Sequence, residues 1–254
     1  MRKIIAAALL CLAATASAQD MLRGLDMSSP DMTMAEMSRA DVEAAIRAAA
    51  GKPLDLTGKR LSGLDLSGLD LHGAIFRAAR LNHAKLMRAN LDGAVLDQAW
   101  ALEADFSGAS LVGASLFQSQ LQKARFDGAD FSRARVAADF GGARLNGAIL
   151  REANGAADEK NQSMGLMRAS FKSADLTGAD FSGADLSRAD LSYAKCAGAN
   201  FAGAKLRGAD ASGADLRGAK LAGVTAPGLD LDSARLDASV TIDGAANADR
   251  AIRD

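Results

Sequence analysis

Ala174-Asp175-Leu176-Thr177-Gly178-Ala179-Asp180-Phe181-Ser182-Gly183-Ala184-Asp185-Leu186 repeats one five-residue pattern: a small residue, a carboxylate, a large apolar residue, a short polar residue, then glycine. Outward from this stretch the large apolar residue keeps returning at every fifth position. One block runs from Leu56 to Val136, a one-residue slip gives Phe140, Leu145 and Leu150, and a third block runs from Leu166 to Leu236. These blocks hold 35 units, of which 30 centre on Leu or Phe and 27 carry Ala two residues earlier, so the period is no accident of composition.

Five residues fit neither helix nor strand. A helix wants apolar residues near every 3.6 positions and a strand wants every second, and a heptad seam fails as well. A chain that turns a corner after each unit satisfies the pattern. The large residue and the small one two before it then point inward, and the others face outward or form the corner. The slot contents agree. Asp or Asn recurs just before the large residue, as at Asp65, Asp105, Asp130 and Asp190, and Gly recurs two after it, as at Gly58, Gly93 and Gly183. Short polar residues and Gly suit turns because they bond nearby backbone and tolerate positive φ.

The quoted run is similar to the A(D/N)LXX consensus of pentapeptide-repeat proteins, and the resemblance covers residues 54–238. It implies an all-β fold, a right-handed quadrilateral β-helix in which four units make one square coil and residues 20 apart stack. About nine coils at roughly 4.8 Å each give a rod about 40 Å long. Phe106 should then lie against Phe126, and Phe181 against Phe201.

The rest of the chain divides around the repeats. Residues 1–18 have the parts of a secretory signal peptide: Arg2 and Lys3, an apolar run from Ile4 to Ala14, and Ala16-Ser17-Ala18 before cleavage. The apolar run is too short to span a membrane, so the expected product is a periplasmic or secreted chain with no membrane insertion once the leader is removed. Residues 19–53 form an N-terminal segment with a capping helix. Within it Thr33/Glu36 and Ser38/Asp41 are both spaced as capping boxes, and Gly51 and Pro53 stop the helix. Leu54, Leu64 and Leu69 replace Ala in the first coils and offer bulk for the cap to pack on. Residues 151–165 read as a coil corner expanded into a surface loop, and residues 239–254 as a short final strand and frayed tail.

Signs of chemistry are few. The 30 basic and 31 acidic residues leave a formal charge of −1, which argues for no nucleic-acid partner. Once Cys11 leaves with the leader, Cys196 is a lone thiol with the spacing of a core slot. His72 and His83 lack metal-ligand spacing and fall in outward slots. Asp175, Asp180, Asp185 and Asp190 should ring one coil, and only the column Asp190, Asp210, Asp230 stacks carboxylates where a cation could sit. No nucleophile elbow or phosphate loop occurs. The chain therefore reads as non-enzymatic, with no cofactor and no catalytic or metal site.

One outward feature departs from the pattern. Ile75, Val95, Trp100, Leu102, Val112 and Phe117 put apolar side chains in slots that are mostly polar. Such a patch marks a contact surface. It would receive an unknown protein partner or a second copy, or else lie under the Met-rich segment 21–37. The expected function is an exported, non-catalytic scaffold that serves as a protein–protein interaction module. The resemblance supplies an alternative, since some of its members mimic duplex DNA and bind DNA gyrase. The leader and the basic residues Arg125, Arg135 and Arg144 depart from that pattern. A glycan-active β-helix enzyme is the remote third reading.

Overall fold

The computed structural model describes residues 26–157, 167–240 and 242–253. The expected leader and most of the expected loop lie outside the described residues. The chain winds as a quadrilateral β-helix whose sides each contribute one residue to a parallel bridge with the next coil. Asp55 pairs with Ile75, Arg60 with Arg80, Asp65 with Lys85 and Asp70 with Asn90, so four units make a coil and residues 20 apart stack.

The local cause is a distribution of backbone donors. In one side the N–H of the large residue donates forward, as Leu56 to the Ile75 carbonyl at 2.7 Å, and the N–H before it donates backward, as Ile75 to Leu54 at 2.8 Å. The N–H two after the large residue donates forward at the corner, as Gly58 to Arg77 at 2.8 Å. The next N–H closes the turn, as Ala79 to Phe76 at 2.9 Å. One donor per side is left over: the N–H immediately after the large residue. The Asp just before the large residue accepts it, Asp105 Oδ1 taking the Ser107 N–H at 2.9 Å and Asp190 that of Ser192 at 2.9 Å. The recurring carboxylate is thus a turn device that satisfies an otherwise orphaned donor.

The interior holds Ala and Leu or Phe from every side, nearly all with no exposed surface. Narrow coils explain the scarcity of large side chains: a small and a large residue per side fill the prism. Phe106 stacks on Phe126 with centroids 4.8 Å apart, and Phe181 on Phe201 at 5.1 Å, as their 20-residue spacing requires. Each buried Leu contributes on the order of 1.5–3 kcal/mol before entropy, and these gains accrue coil by coil.

Four outward columns result. Column one runs from Asp55 through Ile75, Val95, Ser115 and Arg135 to Asn154, Asp185, Lys205 and Thr225. Column two runs from Arg60 and Arg80 through Trp100, Gln120, Asp139 and Ser170 to Asp190, Asp210 and Asp230. Column three begins at Asp65 and column four at Asp70. Asp185, Asp190, Asp175 and Asp180 fall on columns one, two, three and four, a ring rather than a cluster.

The two irregularities occupy the same corner in successive coils. The slip shortens the side between Val136 and Phe140, so Gln120 pairs with Asp139 at a spacing of 19. One coil later Asn154 pairs with Asp185 and Asp139 with Ser170, at a spacing of 31. The Ala169 N–H still closes its turn on the Gly155 carbonyl at 2.9 Å, so eleven residues are inserted within that one turn. Asn154 and Gly155, read from sequence as loop, therefore complete a coil side, with buried Gly155 in the large-residue slot. Leu166, read as the start of the third block, lies outside the described residues.

Both ends are covered. Helix α1 spans Pro30–Thr33 and helix α2 spans Arg39–Ala49. Ser38 and Asp41 form the expected capping box, whereas the expected Thr33/Glu36 box does not form. Thr33 ends α1 instead, and the Glu36 N–H donates to the Arg60 carbonyl at 2.9 Å. The open strand edge outcompetes a local cap because its carbonyls need donors. The Arg39 guanidinium serves the same edge, donating to the Asp65 and Ser67 carbonyls at 3.1 Å. Val42 is fully buried, and Leu54, Leu64 and Leu69 pack against the core beside Ile46. At the far end strand β1, Arg235–Leu236, pairs in parallel with β2, Ile252–Arg253, and Asp230 pairs with Ala246. The segment expected to fray thus lies along the last coil, with Val240, Ile242 and Ala245 packed on the core.

Candidate functional site

The six apolar outward residues lie within three adjacent coils. Ile75 and Val95 are direct bridge partners on column one, and Trp100 sits on column two between Arg80 and Gln120. Val112 and Phe117 occupy the two corners that flank column one, and Leu102 the far corner of column two. All six are half-buried. The large apolar residues with most exposure lie elsewhere: Tyr193 at 63%, Met34 at 60% and Ile252 at 49%.

The backbone explains why these slots can be apolar. The sides that carry Leu102, Val112 and Phe117 have Trp100, Ser110 and Ser115 where the turn-forming Asp would stand. Their leftover N–H groups are accepted from the coil before: Leu102 by Asn82 Oδ1 at 3.1 Å, Val112 by Asp92 Oδ1 at 3.0 Å and Phe117 by Asp97 Oδ1 at 3.1 Å. The Ser110 and Ser115 hydroxyls donate to the same two carboxylates. Moving the acceptor one coil down frees the column for Trp100 and the corners for apolar side chains. Sequence reasoning missed these supporting residues, although Asn82, Asp92 and Asp97 each stand 20 positions before an apolar corner residue.

Neighbouring groups shape the surface further. The Arg135 guanidinium lies over the Phe117 ring, 3.6 Å from its centroid, a cation–π contact. Asn82 is buried and its Nδ2 donates to the Met32 carbonyl at 3.1 Å. Met27 and Met32 with Asn82, His83, Leu102 and Glu103 line a cleft of about 160 Å³. The Met-rich segment thus reaches the Leu102 corner. Beyond Phe117, the Gln118 amide donates to Met167 Sδ at 2.5 Å, tying the returning arm of the insertion to the same corner.

Titratable groups do not assemble into a reaction centre. Among the described residues no group of three or more His, Cys, Asp or Glu could hold a metal ion. His72 is exposed, and His83 Nδ1 lies 3.6 Å from Glu103 at an exposed corner. The Cys196 thiol is buried in the core and burial pushes it up to about 12, so it stays protonated. Burial raises the Asp139 carboxyl above its ordinary range, although its oxygens accept from Gly141 N–H and Gln122 Nε2. The clefts around Leu102 and around Ile46 hold about 160 and 220 Å³, below the usual size of a small-molecule pocket. What the arrangement offers is surface: a shallow apolar area on a stiff rod, held by the buried Asn82 amide and the half-buried Asp92 and Asp97 carboxylates.

A family model described as pentapeptide repeats (8 copies) matches residues 55–93, 89–116, 102–135, 166–195 and 199–237. Among solved structures, full-length QnrB1, described as a plasmid-mediated fluoroquinolone resistance protein, is 18% identical, with 74% of this chain and 90% of that chain covered and a TM-score of 0.50. HetL, a pentapeptide-repeat protein involved in heterocyst differentiation regulation from the cyanobacterium Nostoc sp. strain PCC 7120, is 27% identical, with 85% and 93% covered and a TM-score of 0.34. No curated protein matches the sequence.

Proposed function

The chain belongs to the pentapeptide-repeat family, and on that premise we propose that it is an exported, non-catalytic scaffold whose rigid rod presents the Ile75–Val95–Trp100 surface to a partner protein. The supporting observation is the relocation of turn acceptors to Asn82, Asp92 and Asp97, which frees the slots of Trp100, Leu102, Val112 and Phe117 for apolar side chains beside Ile75 and Val95. Sides such as those of Asp105 and Asp190 keep their own carboxylate for the turn. Export rests on the three-part leader in residues 1–18. Duplex-DNA mimicry fits less well. Along column three Lys85, Arg125, Arg144, Lys195 and Arg235 stand among Asp65, Asp105, Asp175 and Asp215, so that face carries no continuous line of negative charge.

The test is affinity capture from the periplasmic fraction with wild type, Val95→Asp and Trp100→Asp, each verified to keep its β-rich circular dichroism. A specific partner lost with both variants supports the reading. Identical captures with wild type and both variants would remove the surface from consideration. Full-length protein in the cytoplasm would overturn the export assignment.

A further inference from the structure

Column two is graded in charge along the rod. Arg60 and Arg80 lie at its N-terminal end, Trp100 follows, and Asp190, Asp210 and Asp230 stack on consecutive coils at the other end. Like charges on adjacent strands repel, so each end of the strip needs compensation. Arg60 has it, pairing with Asp31 at 2.9 Å and Glu36 at 3.6 Å. Arg80, Asp190 and Asp210 form no ion pair among the described residues. The two carboxylates use Oδ1 for the Ser192 and Ser212 N–H groups at 2.9 Å, and Oδ2 takes no hydrogen bond among the described residues.

We propose that this face binds a second copy of the chain in an antiparallel, two-fold pairing. Counting coils along the column, a two-fold axis between the Gln120 and Asp139 rows sets Gln120 against Asp139 of the other copy and Trp100 against Ser170. The same axis sets Arg80 against Asp190, and Arg60 against Asp210. Every unlike pair then occurs twice, which is the self-complementarity that an isologous interface demands. Trp100, half-buried and flanked by polar rows, supplies a central anchor of the type that dominates such contacts.

This inference shares Trp100 with the partner-protein reading but depends on charges which that reading does not use. Sedimentation velocity on the purified mature chain at low and high salt measures it. A dimer is expected that dissociates at least tenfold more readily as salt screens the pairs. Arg80→Asp and Asp190→Arg should each be monomeric with unchanged circular dichroism. Mixing the two variants should restore the dimer, because the mixed pair regenerates both contacts. A wild type that is monomeric at every concentration, single variants that stay dimeric, or a mixture that stays monomeric would each overturn the proposal. If the charge swap behaves as expected while Val95→Asp captures the same proteins as wild type, only the partner-protein reading falls. If Val95→Asp loses a partner while the swap has no effect, only the two-fold pairing falls.

Discussion

Phe140 and Phe171, 31 residues apart in sequence, stack with ring centroids 5.0 Å apart and planes within 16°. They are the first core pair across the inserted turn, and their contact carries the coil register over it. The insertion therefore behaves as an excursion from a continuous core. Deleting residues 158–168 joins Ala157 to Ala169 and returns the side to five residues. The deletion variant should fold with stability within about 1 kcal/mol of wild type, since loop closure changes slowly with length. Urea titration followed by circular dichroism checks this. A loss of several kcal/mol would mean that the insertion is part of the core.

Gly155 stands in a large-residue slot, between Val136 and Leu186 in the interior stack. A Cβ there would lie 2.8 Å from Ala169 Cβ, 3.2 Å from Leu186 Cδ2 and 3.3 Å from Val136 Cγ2. Restoring the repeat consensus by Gly155→Leu should therefore destabilise the protein, by about 1–3 kcal/mol or more from overpacking. A denaturation midpoint equal to or above that of wild type would refute the placement.

The corner two after the large residue has positive φ on most sides, +67° at Gly178 and +58° at Arg133. An L side chain pays roughly 1–2 kcal/mol there. Gly178→Ala should lower stability by about 1 kcal/mol and Arg133→Gly should raise it by a similar amount, a pair of opposite signs that thermal melts can read.

Asn82 joins the cap segment to the apolar corner through its two bonds, Nδ2 to the Met32 carbonyl and Oδ1 from the Leu102 N–H. Asn82→Ala strands a half-buried donor and should cost about 1–3 kcal/mol. Hydrogen exchange should show the Leu102 amide and residues 30–36 opening together. Retained protection at both would separate the cap from the corner.

Acid should weaken the fold. The Arg217 side chain beside Asp215 holds that carboxyl below its ordinary value, and the Asn247 side chain does so for Asp230, as does the Ser67 N–H for Asp65. A carboxyl whose folded value is depressed stabilises above its unfolded value and loses that contribution as pH falls through the folded one. Stability should hold near neutrality and decline below about pH 4. Asp139 has the opposite sign, because burial raises it. Asp139→Asn should therefore reduce the penalty at pH 7 and leave the acid limb unchanged. Urea midpoints between pH 3 and pH 7 test both, and an Asp139→Asn protein less stable than wild type at pH 7 would show that its hydrogen bonds outweigh its burial.

The period, the inward slots and the turn chemistry were legible in the sequence because each side solves the same local problem with five neighbouring residues. Leu, Ala, Asp and Gly at fixed offsets are enough to state that solution, and with the four-unit coil that the family resemblance implies, the 20-residue rise and the Phe106–Phe126 stack followed. The tertiary structure decided whatever depends on residues one coil apart. It put Gly155 in a large-residue slot of the interior, drew Glu36 to the Arg60 edge instead of a local cap, and gave the Leu102 and Phe117 N–H groups acceptors on Asn82 and Asp97. It also showed which carboxylates have a cation beside them. The physical reason is the same in each case: a backbone donor or a core void is satisfied by the nearest group in space, whichever unit of the chain that group belongs to.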